Sequence, residues 1–103
     1  MGLAQGKSLP TNILMSMGVE LTKVPSTPGV YKFFSNHEII YIGKAKNLKK
    51  RVSSYFGNSF KDRKTSQIKL LTDNIETFTT KNEVEALLLE QMLIKENKPK
   101  FNI

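Results

Sequence analysis

Two short runs, "GVYKFFS" at 29–35 and "EIIYIGK" at 38–44, constrain this chain more than any other feature. Both are rich in β-branched and aromatic residues, and only the turn-like "SNH" region separates them, so they read as an antiparallel hairpin. The length of the turn decides what the hairpin can do. Tyr31 and Tyr41 lie ten residues apart across it. A three-residue loop, Ser35 to His37, sets Tyr31 directly opposite Tyr41 with both phenols on one face. A two-residue loop pairs Tyr31 with Ile42 and sends the phenols to opposite faces.

The rest of the chain arranges itself around that hairpin. Residues 1–24 read as a leader: a flexible start over 1–10, then a short helix in which Ile13, Leu14, Met17 and Leu21 follow Thr11 as N-cap. "PSTPG" ends it in a turn. After the hairpin, "NLKKRVSSYF" puts Leu48, Val52 and Phe56 on one helical stripe and Asn47, Arg51 and Tyr55 on the next. "KDRKTSQIKLLTD" is a second helix with Ile68 and Leu71 on its buried side, and "IETFTTK" is a third strand. Asn82 with Glu85 three residues on forms a capping box that opens the helix "EVEALLLEQMLIKE", which "NKPK" stops. The expected fold is a small α+β domain over 25–103: a mostly antiparallel three-stranded sheet with helices packed around it.

Composition limits the chemistry. With no cysteine and His37 as the only histidine, thiol catalysis, disulfides, Cys-based zinc sites and paired-histidine chemistry are excluded. His37 itself sits in a turn, where a structural role is the simpler reading. No apolar run approaches membrane-spanning length, which with the cysteine count fits a cytoplasmic protein. Sixteen Lys and Arg against nine Asp and Glu leave a net charge of +7, which favours an anionic partner such as a nucleic acid.

Within that frame, "YIGKAKNLKKR" concentrates five basic residues in eleven positions. Lys44, Lys46, Lys50 and Arg51, with Asn47 and Tyr55, are the candidate nucleic-acid contacts, although a solvated basic helix face explains the same run. Gly43 would admit a phosphate or another backbone closely. Glu90 is the most conspicuous acid, because Ala86, Leu87, Leu93 and Ile94 surround it at helical spacing. A carboxylate in such a stripe needs a cation, either a Lys or Arg partner or a metal ion.

Together these segments resemble the GIY-YIG nuclease family. "GVY" and "YIG" stand for the two name motifs, followed in order by "GKAKNLKKRVSSYF" and "EALLLEQMLIKENKPKFNI", a likeness running from about Pro25 to Ile103. The resemblance implies a metal-dependent DNA endonuclease, nearest to the branch that makes the 3′ incision of bacterial nucleotide excision repair. It implies that Glu90 holds one Mg²⁺ or Mn²⁺, that Arg51 stabilises the scissile phosphate, and that Tyr31 or Tyr41 activates or positions the attacking water. Lys44 would lower a phenol's pKa or bind phosphate, and Tyr55 and Asn102 match further motif positions. The expected partner is damaged duplex DNA, engaged by a monomer that belongs to a longer protein and reaches its partner proteins through other parts of it. One departure stands out: Met92 occupies a position, two residues after Glu90, where that branch commonly has Asn. The competing readings are a stand-alone repair homologue, another GIY-YIG enzyme, or a non-catalytic basic module in which Glu90 is merely structural.

Overall fold

A computed structural model describes residues 8–9, 23–57 and 62–103. The helix expected over 11–24 falls almost wholly outside the described residues. The sheet is antiparallel throughout, in the order β1-β4-β2-β3: β1 (Ser8–Leu9), β2 (Gly29–Ser35), β3 (Glu38–Ala45) and β4 (Asn74–Thr79). Three of these strands are those expected from the sequence. β1 adds a two-residue pairing to the outer edge of β4, Ser8 opposite Glu76 and Leu9 opposite Ile75, within the stretch read as a flexible start.

The helices α1 (Leu48–Tyr55), α2 (Arg63–Leu71) and α3 (Glu83–Asn97), followed by a 3₁₀ turn Lys100–Asn102, cover both faces of the sheet. Strand alternation explains the division. Tyr31 and Phe33 of β2 and Ile75 of β4 pack with Leu48, Val52 and Tyr55 of α1 and Ile68 of α2. Val30 and Ile42 point the other way, onto Ala86, Leu89, Leu93 and Ile94 of α3. β2 is therefore buried on both sides, with Val30 and Phe33 at 0% exposure. Burying a side chain of that size contributes about 1.5–3 kcal/mol. Leu71, expected in the core, is 40% exposed; α2 has a single buried residue, Ile68.

The Asn82 cap follows the sequence reading, and Asn47 and Asp62 cap the other two helices. Asn47, Asp62 and Asn82 each accept a backbone N–H from the first turn of α1, α2 and α3. The capping box at Asn82 is half formed as expected: Glu85 N–H donates to Asn82 Oδ1, but Glu85 Oε1 accepts from Lys81 N–H. Lys98 in the left-handed region (φ 43°) and Pro99 then end α3.

The hairpin follows neither simple register. Its turn has two residues, Asn36 (φ 51°) and His37 (φ 68°), both left-handed as a tight hairpin turn requires. Ser35 pairs with Glu38 and Phe34 with Ile39, then Ile40 is the extra residue of a bulge, and Phe33 pairs with Tyr41 and Tyr31 with Gly43. The bulge shifts the register by one residue. It returns Tyr31 and Tyr41 to the same face despite the two-residue turn, as diagonal neighbours instead of a direct pair.

Candidate active site

The diagonal pairing builds a triangle of phenols. Ring centroids are 6.2 Å apart for Tyr31 and Tyr41, 5.9 Å for Tyr31 and Tyr55, and 6.2 Å for Tyr41 and Tyr55. Phe33 forms the floor, edge-on to Tyr55 at 5.0 Å. Gly43 is required here, though not to admit a phosphate. It lies opposite Tyr31, and a Cβ on it would overlap the hydroxyl end of that ring. Tyr55, expected on the nucleic-acid face, is only 6% exposed and belongs to the cluster instead. Its place at i+7 from Leu48 puts it on the inner stripe of α1, which Phe56 was expected to occupy.

Arg51 stands at one side of the triangle. Its Nε–H donates to Tyr31 Oη at 3.4 Å, and its guanidinium lies 5.2 Å from the centre of the Tyr55 ring. Tyr31 Oη in turn donates to Tyr55 Oη at 3.5 Å. The bond to Tyr31 pushes the Arg51 pKa further up, so the guanidinium is a fixed positive charge. Burial pushes all three phenols up, Tyr41 and Tyr55 to about 12. The neighbouring Tyr55 and the negative charge of Glu90 add to the rise at Tyr41. No phenol in the cluster is depressed, and Lys44 is not among the groups that shift them. Strand parity turns Lys44 away from Gly43 and towards α3, where it lines a groove.

That groove, about 530 Å³ in volume, runs past Lys44, Lys46, Asn47, Lys50, Arg51 and Ser54, with Glu83 as its one acid. Sequence-based candidates for nucleic-acid contact thus converge on one surface, and Arg51 joins it to the phenols. The N-terminus of α1 offers the groove no free donors. Leu48 N–H goes to Thr27 O, Lys49 N–H to Pro25 O and Lys50 N–H to Asn47 Oδ1.

Glu90 is half-buried, not enclosed, because the helix face around it is only partly covered: Leu87 is 42% exposed. Among the described residues it makes no ion pair; its side chain accepts only from Gln91 Nε2, at 3.2 Å. Those residues hold no group of three or more metal-ligating side chains. A lone, unpaired carboxylate fits a hard divalent cation that keeps most of its ligands as water, and does not fit a thiolate- or imidazole-seeking metal. Asn102, expected as a catalytic group, has both ends of its amide engaged: Oδ1 accepts from Ile42 N–H and Nδ2 donates to Ile42 O, each at 2.9 Å. These two bonds position β3, and one N–H of the amide and one lone pair of Oδ1 remain uncommitted. One cation near the phenols escaped the sequence reading: Lys64 of α2, with Nζ 5.3 Å from the centre of the Tyr41 ring. Only the packing of α2 against the sheet brings it there.

An antiparallel hairpin carrying two phenols, a basic helix α1 with its arginine on those phenols and Glu90 on the last helix, α3, form the arrangement expected of a nuclease. The family model of the UvrC-like GIY-YIG domain matches residues 27–103, and the chain belongs to that family. It is 46% identical over 87 residues to UvrABC system protein C of Fusobacterium nucleatum, covering 84% of this chain and 15% of that one. It is 50% identical over 84 residues to the same protein of Actinobacillus pleuropneumoniae, covering 81% and 14%. The chain therefore spans about one-seventh of the length of these relatives. Among solved structures it resembles the GIY-YIG N-terminal endonuclease domain of UvrC from Thermotoga maritima bound to its catalytic divalent cation, magnesium. There the TM-score is 0.76 at 39% identity, covering 85% of this chain and 97% of that domain. Point mutants of the Thermotoga domain with a tyrosine changed to phenylalanine are also cation-bound.

Proposed function

We propose that this domain is a metal-dependent DNA endonuclease that cuts a phosphodiester on the 3′ side of a lesion during bacterial nucleotide excision repair. The observation that carries the reading is the convergence of Arg51, the phenol triangle and the unpaired Glu90 beside one edge strand, β3, at the end of a basic groove. A binding module needs the groove but has no use for an unpaired carboxylate close enough to Tyr41 to raise its pKa. Glu90 would hold one Mg²⁺ or Mn²⁺, which when bound stabilises charge growing on the phosphate. Arg51, held charged by Tyr31, faces the same phosphate and donates to its oxygens. Tyr31 is 1% exposed and committed to Arg51 and Tyr55, whereas Tyr41 is half-buried and reachable, so Tyr41 orients the attacking water. With its pKa near 12, Tyr41 is a neutral hydroxyl at neutral pH and acts there by hydrogen bonding.

The reading is supported by relatives that are themselves proteins of the UvrABC system. We infer a cytoplasmic monomeric domain working on damaged duplex DNA, with UvrB contacted through parts of a longer protein. The test is a Mn²⁺ titration of wild type and Glu90→Gln, following melting temperature and nicking of a lesion-bearing duplex. Metal-dependent stabilisation and nicking should appear in the wild type and vanish together in the variant. Nicking that survives Glu90→Gln sinks the assignment.

A further inference from the structure

Lys64 sits in the first turn of α2, on the side of Tyr41 where no role has been assigned. Lys100 is placed similarly, over the Phe101 ring at 5.5 Å, but that ring is not one of the three phenols, and several other cations are already committed to partners. Lys69, also on α2, donates to Gly57 O at 3.1 Å, and Lys32 is paired with Glu76 at 3.6 Å. Arg51 is tied to Tyr31. Lys64 is exposed, and among the described residues its ammonium has no hydrogen-bond or carboxylate partner, only the face of the Tyr41 ring. A lysine carries three donors, and a ring face satisfies none of them as an anion oxygen does. Arg51 lies against Tyr31 and Tyr55, and Lys64 lies against Tyr41, so two positive charges flank the triangle on different rings.

We propose that Lys64 is a second phosphate-binding cation of the site, parked on the Tyr41 ring and transferring its N–H donors to a non-bridging oxygen of the DNA phosphate presented at Tyr41. This deepens the nuclease reading and rests on it. Arg51 then grips the phosphate from α1 and Lys64 from α2, so the phosphate is held between two helices.

The test compares wild type, Lys64→Gln, Lys64→Arg and a remote control, Lys95→Gln, in two assays. The first is metal-free binding of a duplex oligonucleotide by fluorescence anisotropy across a salt series. The second is single-turnover nicking at saturating duplex with Mn²⁺. Lys64→Gln should lower the slope of log affinity against log salt by about 0.9, the share of one phosphate contact. It should also slow nicking by up to about 10²- to 10³-fold, the scale of losing one transition-state donor. Lys64→Arg should restore both, Lys95→Gln should change neither, and the Mn²⁺-dependent rise in melting temperature should persist in all four proteins. A Lys64→Gln slope equal to that of wild type overturns the proposal, and slower nicking with an unchanged slope assigns Lys64 to packing of Tyr41 instead. The slope is read without metal, so a wild-type domain that never nicks removes the nuclease reading while Lys64 is still judged.

Discussion

Gly43 and Arg51 show how single residues set the site. The space a side chain would need at Gly43 is filled by Tyr31, whose ring is itself held by Phe33 at 5.0 Å and Tyr55 at 5.9 Å and cannot step aside. Gly43→Ala should therefore destabilise the domain by about 1–3 kcal/mol, the usual cost of overpacking a filled core. Urea denaturation measures it, and a variant as stable as wild type would mean that the ring has room to move. At Arg51 the geometry depends on a planar fork, with Nε on Tyr31 and the guanidinium face on Tyr55. A lysine keeps the charge but can make neither contact in that form. Arg51→Lys should lower the nicking rate by about 10²- to 10³-fold, the scale of losing an oriented transition-state donor. Since Arg51 is an exposed residue, its melting temperature should stay close to wild type. Equal nicking by the lysine variant would show that charge alone suffices.

At the scale of elements, β3 is both an edge strand and the strand that carries Tyr41, and an edge leaves backbone groups unpaired. Asn102 closes that edge by standing in for a neighbouring strand at Ile42, the residue between Tyr41 and Gly43. Asn102→Ala should cost about 1–2 kcal/mol, two ordinary hydrogen bonds partly replaced by water. It should also reduce the nicking rate at saturating DNA while the Mn²⁺-dependent rise in melting temperature persists; loss of that rise would place Asn102 at the cation. The strands, the helix order and the Asn82 cap were legible because each rests on a local signal: β-branched runs, Asn with Glu three residues on before a first turn, Pro99 after α3. The Asn47 and Asp62 caps carry the same kind of signal but were not read as caps. The register was not. A bulge at Ile40 adds one residue without any sequence mark of its own, since Ile39 and Ile40 are equally good strand residues, yet it decides which face Tyr41 takes. The setting of Glu90 was misread for a related reason. α3 is apolar around most of its circumference, with Val84 66% and Leu88 65% exposed, so helical spacing did not reveal which side faces the sheet. Lys64 was invisible because its position depends on how α2 docks.

Over the whole molecule, a net charge of +7 is gathered in part along one groove, and that groove ends beside a cluster of phenols that resist ionisation. The second property ties the site to global stability. An ordinary tyrosine ionises near pH 10, whereas burial pushes Tyr41 and Tyr55 in the folded domain to about 12. As pH rises through about 10, the unfolded chain loses these protons first, so it binds fewer protons than the folded domain and gains stability relative to it. The contribution of the cluster is therefore fully present below about pH 10, falls between about 10 and 12, and is gone above that. Tyr41 is only half-buried, so solvent screening weakens its share. Lysines also lose charge near this range, and a variant comparison separates the two effects. Urea denaturation of wild type and a Tyr41→Phe, Tyr55→Phe double variant from about pH 8 to 11.5 should give parallel stabilities up to about pH 9.5. Above that, wild type should fall more steeply. Curves that remain parallel to the highest pH would mean that the phenols ionise as freely in the fold as outside it. Tyr41 would then be within reach of phenolate chemistry at much lower pH than the packing of the triangle implies.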